Sequence, residues 1–230
     1  MNKKLLTILI AAASFIGGQA FAGTSDFYVA GFGNGSWHND SSLKNLNLAG
    51  LNTPNTTEYK FGLGGGVAVG YIFDQIRFEI EGAYRQNNIK KTTASILGIN
   101  VPLNNGKGHV SYASLMANVY YDIPVSEDFY VYVGAGAGVA QEKIKNDMVS
   151  PTVGTIANYR STRTVFAWQA MAGVGYNINE DVSIYAGYRL FAVPSHNVKK
   201  LTFAGTGVTS KAKMKDAYIN NLEIGIRYRF

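Results

Sequence analysis

The chain has 230 residues with 26 glycines, 15 tyrosines and 12 phenylalanines, only 5 prolines and no cysteine. The missing thiols exclude a disulfide framework, a thiolate metal site and a thiol nucleophile. The formal charge of +6 comes from 21 basic and 15 acidic residues scattered along the chain, which excludes the concentrated basic face of a nucleic-acid binder.

Lys3 and Lys4 precede an apolar run from Leu5 to Ile16, and Ala20-Phe21-Ala22 gives a small-x-small cleavage site before Gly23. This is the pattern of a secretory signal peptide over residues 1–22, with residues 23–230 as one mature domain. Cleavage removes two lysines and no acid, so the charge falls from +6 to +4. No later run reaches the roughly 20 apolar residues of a membrane-spanning helix.

Period-two patterns follow instead, and a period of two means a strand. The first lies near Asp26–Trp37, with Phe27 and Val29 assigned outward. Phe61, Leu63, Val67, Val69, Tyr71 and Phe73 alternate with Gly62, Gly64, Gly66, Ala68 and Gly70. Ile76, Phe78, Ile80 and Tyr84 alternate with Arg77, Glu79, Glu81 and Arg85. Leu115, Ala117, Val119 and Tyr121 oppose Ser114, Met116, Asn118 and Tyr120, and Val131, Val133 and Val139 oppose Tyr132, Gly134 and Gly138. Trp168, Ala170, Ala172, Val174 and Tyr176 oppose Gln169, Met171, Gly173 and Gly175, while Ile184, Ala186 and Tyr188 oppose Tyr185, Gly187 and Arg189. Last come Leu222, Ile224, Ile226, Tyr228 and Phe230 against Glu223, Gly225, Arg227 and Arg229.

The connections alternate in length. Asp74-Gln75, Asp122–Asp128 and Asn179–Asp181 are short, whereas Ser36–Tyr59, Gln86–Gly108, Gln141–Arg163 and Ala192–Asp216 are long. Short turns on the periplasmic side and long loops outside are the habit of bacterial barrels, and an even strand count lets both termini share one side. The expected fold is therefore an all-β, eight-stranded antiparallel transmembrane β-barrel. Tyr71, Phe73, Tyr121, Phe129, Tyr176, Tyr228 and Phe230 supply its periplasmic aromatic girdle.

Particular strand segments carry a resemblance: Ser114-Leu115-Met116-Ala117-Asn118-Val119-Tyr120-Tyr121-Asp122, Tyr132-Val133-Gly134-Ala135-Gly136-Ala137-Gly138, Phe166-Ala167-Trp168-Gln169-Ala170, Gly187-Tyr188-Arg189 and Leu222–Phe230. In these the chain resembles the opacity-protein and Msp2/P44-like surface antigens, small outer-membrane β-barrels broadly of the OmpA/OmpX type. The resemblance implies a porin-family surface antigen in the bacterial cell outer membrane whose loops carry its specificity. It also implies that Ile224, Ile226, Tyr228 and Phe230 form the C-terminal signal read by the barrel-assembly machinery.

Arg77, Glu79, Glu81, Arg85, Arg189, Glu223, Arg227 and Arg229 all fall on the inward parity. Eight strands enclose a lumen only as wide as the side chains that fill it, so these charges are expected to meet as a structural network. A small conducting path is the alternative. The glycine-rich stretches lack the Gly-Lys-Ser/Thr of a phosphate loop. His38, His109 and His196 share no metal-ligand spacing, and no cofactor or catalytic site is assigned. His109 and Ser111 resemble the His-x-Ser pair of barrel lipid A deacylases, a third and weaker reading. Lys90, Lys91, Lys107, Lys143, Lys145, Lys199, Lys200, Lys211, Lys213 and Lys215 gather in the outer connections, where lipopolysaccharide phosphates or acidic host glycans are natural counter-charges. The expected function is a non-enzymatic, monomeric surface antigen or adhesin-like barrel whose partners are outer-membrane lipid, lipopolysaccharide and host surface ligands, with no nucleic acid. A narrow porin is the alternative.

Overall fold

The computed structural model describes residues 26–38, 41–44, 47–48, 51–52, 55–96, 99–102, 108–150, 154–202, 209–214 and 216–230, with side chains for 26–37, 59–89, 108–145, 161–195 and 216–230. The signal-peptide segment lies outside the described residues.

Eight long strands form the wall: β1 (Phe27–His38), β2 (Gly62–Phe73), β3 (Ile76–Ile96), β4 (Gly108–Pro124), β5 (Phe129–Ser150), β6 (Gly154–Asn177), β7 (Val182–Val193) and β8 (Ala217–Arg229). Each pairs antiparallel with its successor. The ring closes where β1 meets β8, from Tyr28 opposite Arg229 to His38 opposite Ile219. Closure matters because hydrocarbon offers no partner for an unpaired backbone edge. No helix among the described residues is long and apolar enough to cross a membrane; here strands make the crossing.

The outward face is built for lipid. Ile224 and Leu63 are both 69% exposed, and Phe78, Ile80, Leu115, Val133, Ile184, Leu222 and Ile226 are exposed with them. The same residues in water would be an aggregation surface, whereas a barrel wall must present an apolar band about 25 Å tall. The girdle residues Phe73, Tyr121, Tyr176, Tyr228 and Phe230 are exposed at its periplasmic edge. β1 settles into the register expected of it: Tyr28, Ala30, Asn34 and Ser36 are buried inside, leaving Phe27 and Val29 on the lipid side.

The short connections lie at one end. Asp74-Gln75 is a two-residue hairpin turn in which Asp74 takes φ 57°, the left-handed region that such a turn requires and Asp tolerates. The second turn is shorter than the expected 122–128, because β4 runs on to Pro124. Asp122 is drawn into the wall by a bidentate pair with Arg77, and the backbone reverses over 125–128 with Val125 N and Ser126 N donating to Phe129 O.

At the other end the expected loops prove to be largely strand. β3 continues to Ile96 and folds back on Ile99–Pro102. β5 and β6 stay paired up to Ser150 opposite Gly154, far beyond the expected boundaries at Gln141 and Arg163. Shorter ladders join Ser41–Lys44 to Asn55–Tyr59 and His196–Thr202 to Thr209–Met214. The loop expectation rested on the loss of apolar residues from the outward face. Once the wall clears the membrane, water replaces lipid and the ladder continues without them.

Candidate functional site: the filled lumen and the outer rim

The inward parity of eight strands brings side chains into three tiers. The periplasmic tier is aromatic: Tyr28, Tyr120, Tyr130 and Tyr132 are buried, and Tyr185 packs against them. Each of these rings stands directly across from an inward glycine, pairing Tyr28 with Gly70, Tyr120 with Gly134, Tyr130 with Gly175, Tyr132 with Gly173 and Tyr185 with Gly225. The rings occupy the space the glycines leave: a Cβ on Gly175 would fall 2.0 Å from Tyr130 Cζ, and one on Gly70 2.2 Å from Tyr28 Cζ. The bare glycine face is thus covered by the neighbouring strand's phenol, an aromatic shielding of backbone known from other sheets.

Two arginines thread this tier. Arg77 binds Asp122 through Nε at 2.6 Å and Nη2 at 2.9 Å, with its guanidinium 4.5 Å from the Tyr120 ring centroid. Arg227 lies 5.0 Å from the Tyr28 centroid and also faces Tyr130 and Tyr185. Aromatic faces are favourable neighbours for a cation withdrawn from water.

The middle tier is a hydrogen-bonded charge cluster. Arg189 donates from Nη1 to Glu81 Oε1 at 2.6 Å and from Nε to Glu223 Oε2 at 2.8 Å. Gln169 accepts from Arg189 Nη1 at 3.2 Å and donates to Asn118 Oδ1 at 2.8 Å. Asn118 Nδ2 in turn donates to both Glu79 and Glu81 at 3.1 Å. Glu79 also accepts from the Tyr28 and Tyr120 hydroxyls at 3.0 and 3.2 Å. Every carboxylate here has partners, the condition under which buried ions are tolerable.

The outer tier sets an apolar cluster beside buried polar pairs, Asn34 with Asn221 and Ser36 with Asn87. Val110, Met116, Ala140, Ile144, Ala167, Phe191, Val193 and Ile219 pack together, with Tyr112 donating to Glu142 at 2.9 Å. Arg85 sits beneath this cap, its guanidinium 4.0 Å from the Phe191 centroid, and its Nε and Nη1 have no hydrogen-bond partner among the described residues.

Of the eight charged residues expected to meet in the lumen, seven are buried there. Glu81, Arg189 and Glu223 join as ion pairs, and Glu79 is tied to them through Asn118. Arg77 pairs with Asp122 instead, while Arg85 and Arg227 rest on rings. Arg229 sits at the periplasmic rim and donates to Glu180 O at 2.7 Å, outside the cluster. Sequence reasoning missed Asp122 as a partner because it placed that residue in a turn. It placed Asn118 and Gln169 on the inward parity without assigning them to the network, although uncharged amides between like-charged carboxylates were a usable signal.

At the outer rim, Lys143 and Lys145 point outward from β5 opposite Ser111 and His109 of β4. The side chains of Lys90, Lys91, Lys199, Lys200, Lys211 and Lys213, with those of His38 and His196, lie outside the described residues, as do Lys107 and Lys215 altogether. His109 is held below its ordinary pKa by partial burial and by the Lys145 ammonium.

A closed eight-stranded wall with a lipid-facing band and a filled interior is a membrane architecture, and the family model for the outer membrane protein beta-barrel domain matches residues 8–230. The chain belongs to that family. This outer-membrane barrel is 30% identical over 183 residues to outer membrane protein PagN of Salmonella typhimurium, covering 77% of this chain and 76% of the relative. It is 28% identical over 199 residues to an uncharacterized protein of Brucella abortus, covering 74% and 69%. Among solved structures, OprG of Pseudomonas aeruginosa superposes with a TM-score of 0.55 at 13% identity over 90% of this chain and 97% of that one. The outer membrane protease OmpT of Escherichia coli gives 0.52 at 12% identity over 92% and 99%, a likeness of fold alone. The barrel resides in the bacterial outer membrane and is of the small OmpA/OmpX-like kind that the strand segments resemble.

Proposed function

We propose that this outer-membrane barrel is a non-enzymatic surface protein whose fold is a closed post, and whose extracellular strand extensions and loops contact host or envelope ligands as an antigen or adhesin does. The observation that carries this reading is the division of labour along the strands. Below the rim, the inward residues fill the lumen in three tiers. Above it, the β5–β6 ladder continues out to Ser150 and Gly154, where polar residues replace lipid-facing ones. Function on such a scaffold belongs to its projecting connections.

The same reading makes the lumen network and its partners structural. The leader over residues 1–22 and the Ile224, Ile226, Tyr228 and Phe230 signal belong to delivery: the first to export, the second, aligned on the outward face of β8, to recognition by the assembly machinery. The test is adhesion to host cells by bacteria carrying the intact barrel or one whose β5–β6 hairpin is shortened above Lys145 and Arg160. Binding should fall with the shortened hairpin while surface abundance holds, and equal binding by both would sink the reading.

A narrow porin remains the competing reading, and purified barrel in planar bilayers separates the two: the closed post is silent, whereas a porin conducts. The lipid A deacylase reading depends on His109 and Ser111, which share one parity of β4, although Ser111 is buried. His109→Ala leaving the acyl pattern of lipid A unchanged by mass spectrometry agrees with a non-enzymatic barrel.

A further inference from the structure

The seam between β6 and β7 opens well below the outer end of β6. Their ladder runs from Asn177 opposite Ser183 to Trp168 opposite Ala192 and stops there. β6 continues outward to Gly154, paired with β5 alone among the described residues. Beyond β7 the chain reaches Pro194, which has no N–H to offer, and turns into His196–Thr202, which pairs with Thr209–Met214 instead. Burial records the opening. On β5 the inward residues Ala140, Glu142 and Ile144 are buried, whereas their partners across the ladder, Val165, Arg163 and Ser161 of β6, are half-buried.

Every second residue of β6 turns its backbone to this opening. Asn177 N donates to Asp128 O and Ile178 N to Val182 O. Bonded pairs alternate along an antiparallel ladder, so odd-numbered residues of β6 bond to β5 and even-numbered ones face the β7 side. Above Trp168 the N–H and C=O groups of Asn158, Arg160, Thr162 and Thr164 therefore point at an edge that carries no strand among the described residues. An open edge is a template for another chain unless proline, lysine or a bulge blunts it. The chain across the seam has all three: Pro194, Lys199-Lys200, and a bulge in which Val198 and Leu201 face Ala212 and Ser210. Residues 158–164 of β6 have none of them, and the nearest break in register lies further out, where Met148 and Val149 meet β6.

We infer that the free edge of β6 over residues 158–164 docks an extended, acidic peptide segment of a partner protein, which adds to the barrel as one more antiparallel strand. Backbone bonds to Thr162, Thr164 and their neighbours supply the attachment, as in other strand additions. Charge chooses the partner. Residues 154–167 include Arg160 and Arg163 and no acid. The outward rungs beside Thr162 and Arg160 hold Lys143 and Lys145 of β5, and the first outward acid, Asp147, is opposite Asn158. Glu142 lies on the inward parity opposite Arg163, so an incoming strand meets cations on its outward side. Two copies in one membrane run β6 in the same direction, so neither serves the other as the antiparallel strand that every seam of the wall uses. The inference rests on the reading of the extensions as the contact surface, and gives that surface a partner class and a bonding mode.

The experiment titrates the full-length barrel in nanodiscs into a fluorescent ten-residue peptide of alternating valine and glutamate, read by anisotropy. Binding should vanish when the peptide is N-methylated at every residue, and should weaken about two- to five-fold for each glutamate replaced by lysine. Thr162→Pro/Thr164→Pro removes two free-edge donors without touching a bond to β5, and should bind about 30-fold more weakly at about five-fold per bond. Thr162→Ala/Thr164→Ala keeps both N–H groups and should bind within about three-fold of wild type. Heat-modifiable gel migration reports folding, and if the proline variant fails to fold, the N-methylated peptide on wild type decides. No binding of the acidic peptide, equal binding of its N-methylated form, or equal binding by a folded proline variant overturns the inference. So does a disulfide-linked barrel dimer from Thr164→Cys, the sole thiol of that chain, which would make a second copy the occupant. Adhesion to host cells separates the two readings. A folded proline variant that adheres like wild type, while the shortened hairpin does not, overturns strand addition and leaves the contact surface standing; unchanged adhesion by both overturns both.

Discussion

Arg189 of β7 donates to Glu81 of β3 at 2.6 Å across the lumen, joining residues 108 positions apart on strands that stand four places from each other round the ring. The bond is a strut between opposite walls, and its energetics follow from burial. Both side chains are almost completely enclosed, so removing one partner strands the other.

Arg189→Met should therefore destabilise the folded barrel by about 3–5 kcal/mol, read from urea unfolding in detergent by the shift between folded and unfolded gel mobility. Adding Glu81→Gln and Glu223→Gln in the same chain should recover most of that loss, because neither carboxylate that Arg189 paired with then carries a charge. A single Arg189→Met variant as stable as wild type would contradict the strut.

The tyrosine and glycine pairs predict an asymmetry between two mild substitutions. Gly175→Ala drives a methyl group into the Tyr130 ring and should cost about 1–3 kcal/mol by overpacking. Tyr130→Phe should be neutral or slightly stabilising, since the buried Tyr130 hydroxyl has no hydrogen-bond partner among the described residues. Tyr28→Phe removes a donor to Glu79 and should cost about 1.5–3 kcal/mol. Unfolding midpoints measured side by side decide whether the three fall in this order.

His109 gives a pH signature outside the membrane. Burial and Lys145 keep its folded pKa below the ordinary value, while Asn88 of β3, its other cross-strand neighbour, carries no charge. The unfolded chain therefore binds the proton more readily than the folded one. The contribution to stability is complete above the ordinary histidine pKa of about 6.5 and is lost as pH falls from there through the folded value. Histidine NMR titration should show the depressed pKa, and Lys145→Ala should raise it; an unshifted value in both proteins would refute the coupling.

The alternation of Ile224, Ile226 and Tyr228 with Glu223, Gly225 and Arg227 exposed the eight-strand barrel directly, because a membrane wall imposes opposite chemistry on its two faces. Short turns and long connections likewise made the topology legible. The partners inside the lumen were not, since pairing depends on how far each strand slides against the next. Parity put Arg77 inside, but only the register of β3 against β4 puts Asp122 in reach of it. The extent of β5 and β6 was hidden for another reason. Gln141 to Lys145 lose the lipid-facing pattern while keeping the backbone ladder, so their hydrophobicity falls silent before their structure ends.

That continued ladder gives the molecule a mast. From Val139, the last lipid-facing residue of β5, to Ser150 at the hairpin tip is eleven residues of paired strand, about 37 Å along the chain. A hydrogen-bonded hairpin holds its tip at a fixed elevation, as an unstructured connection of equal length would not. The height at which the barrel presents its outermost paired residues is therefore written into strand length.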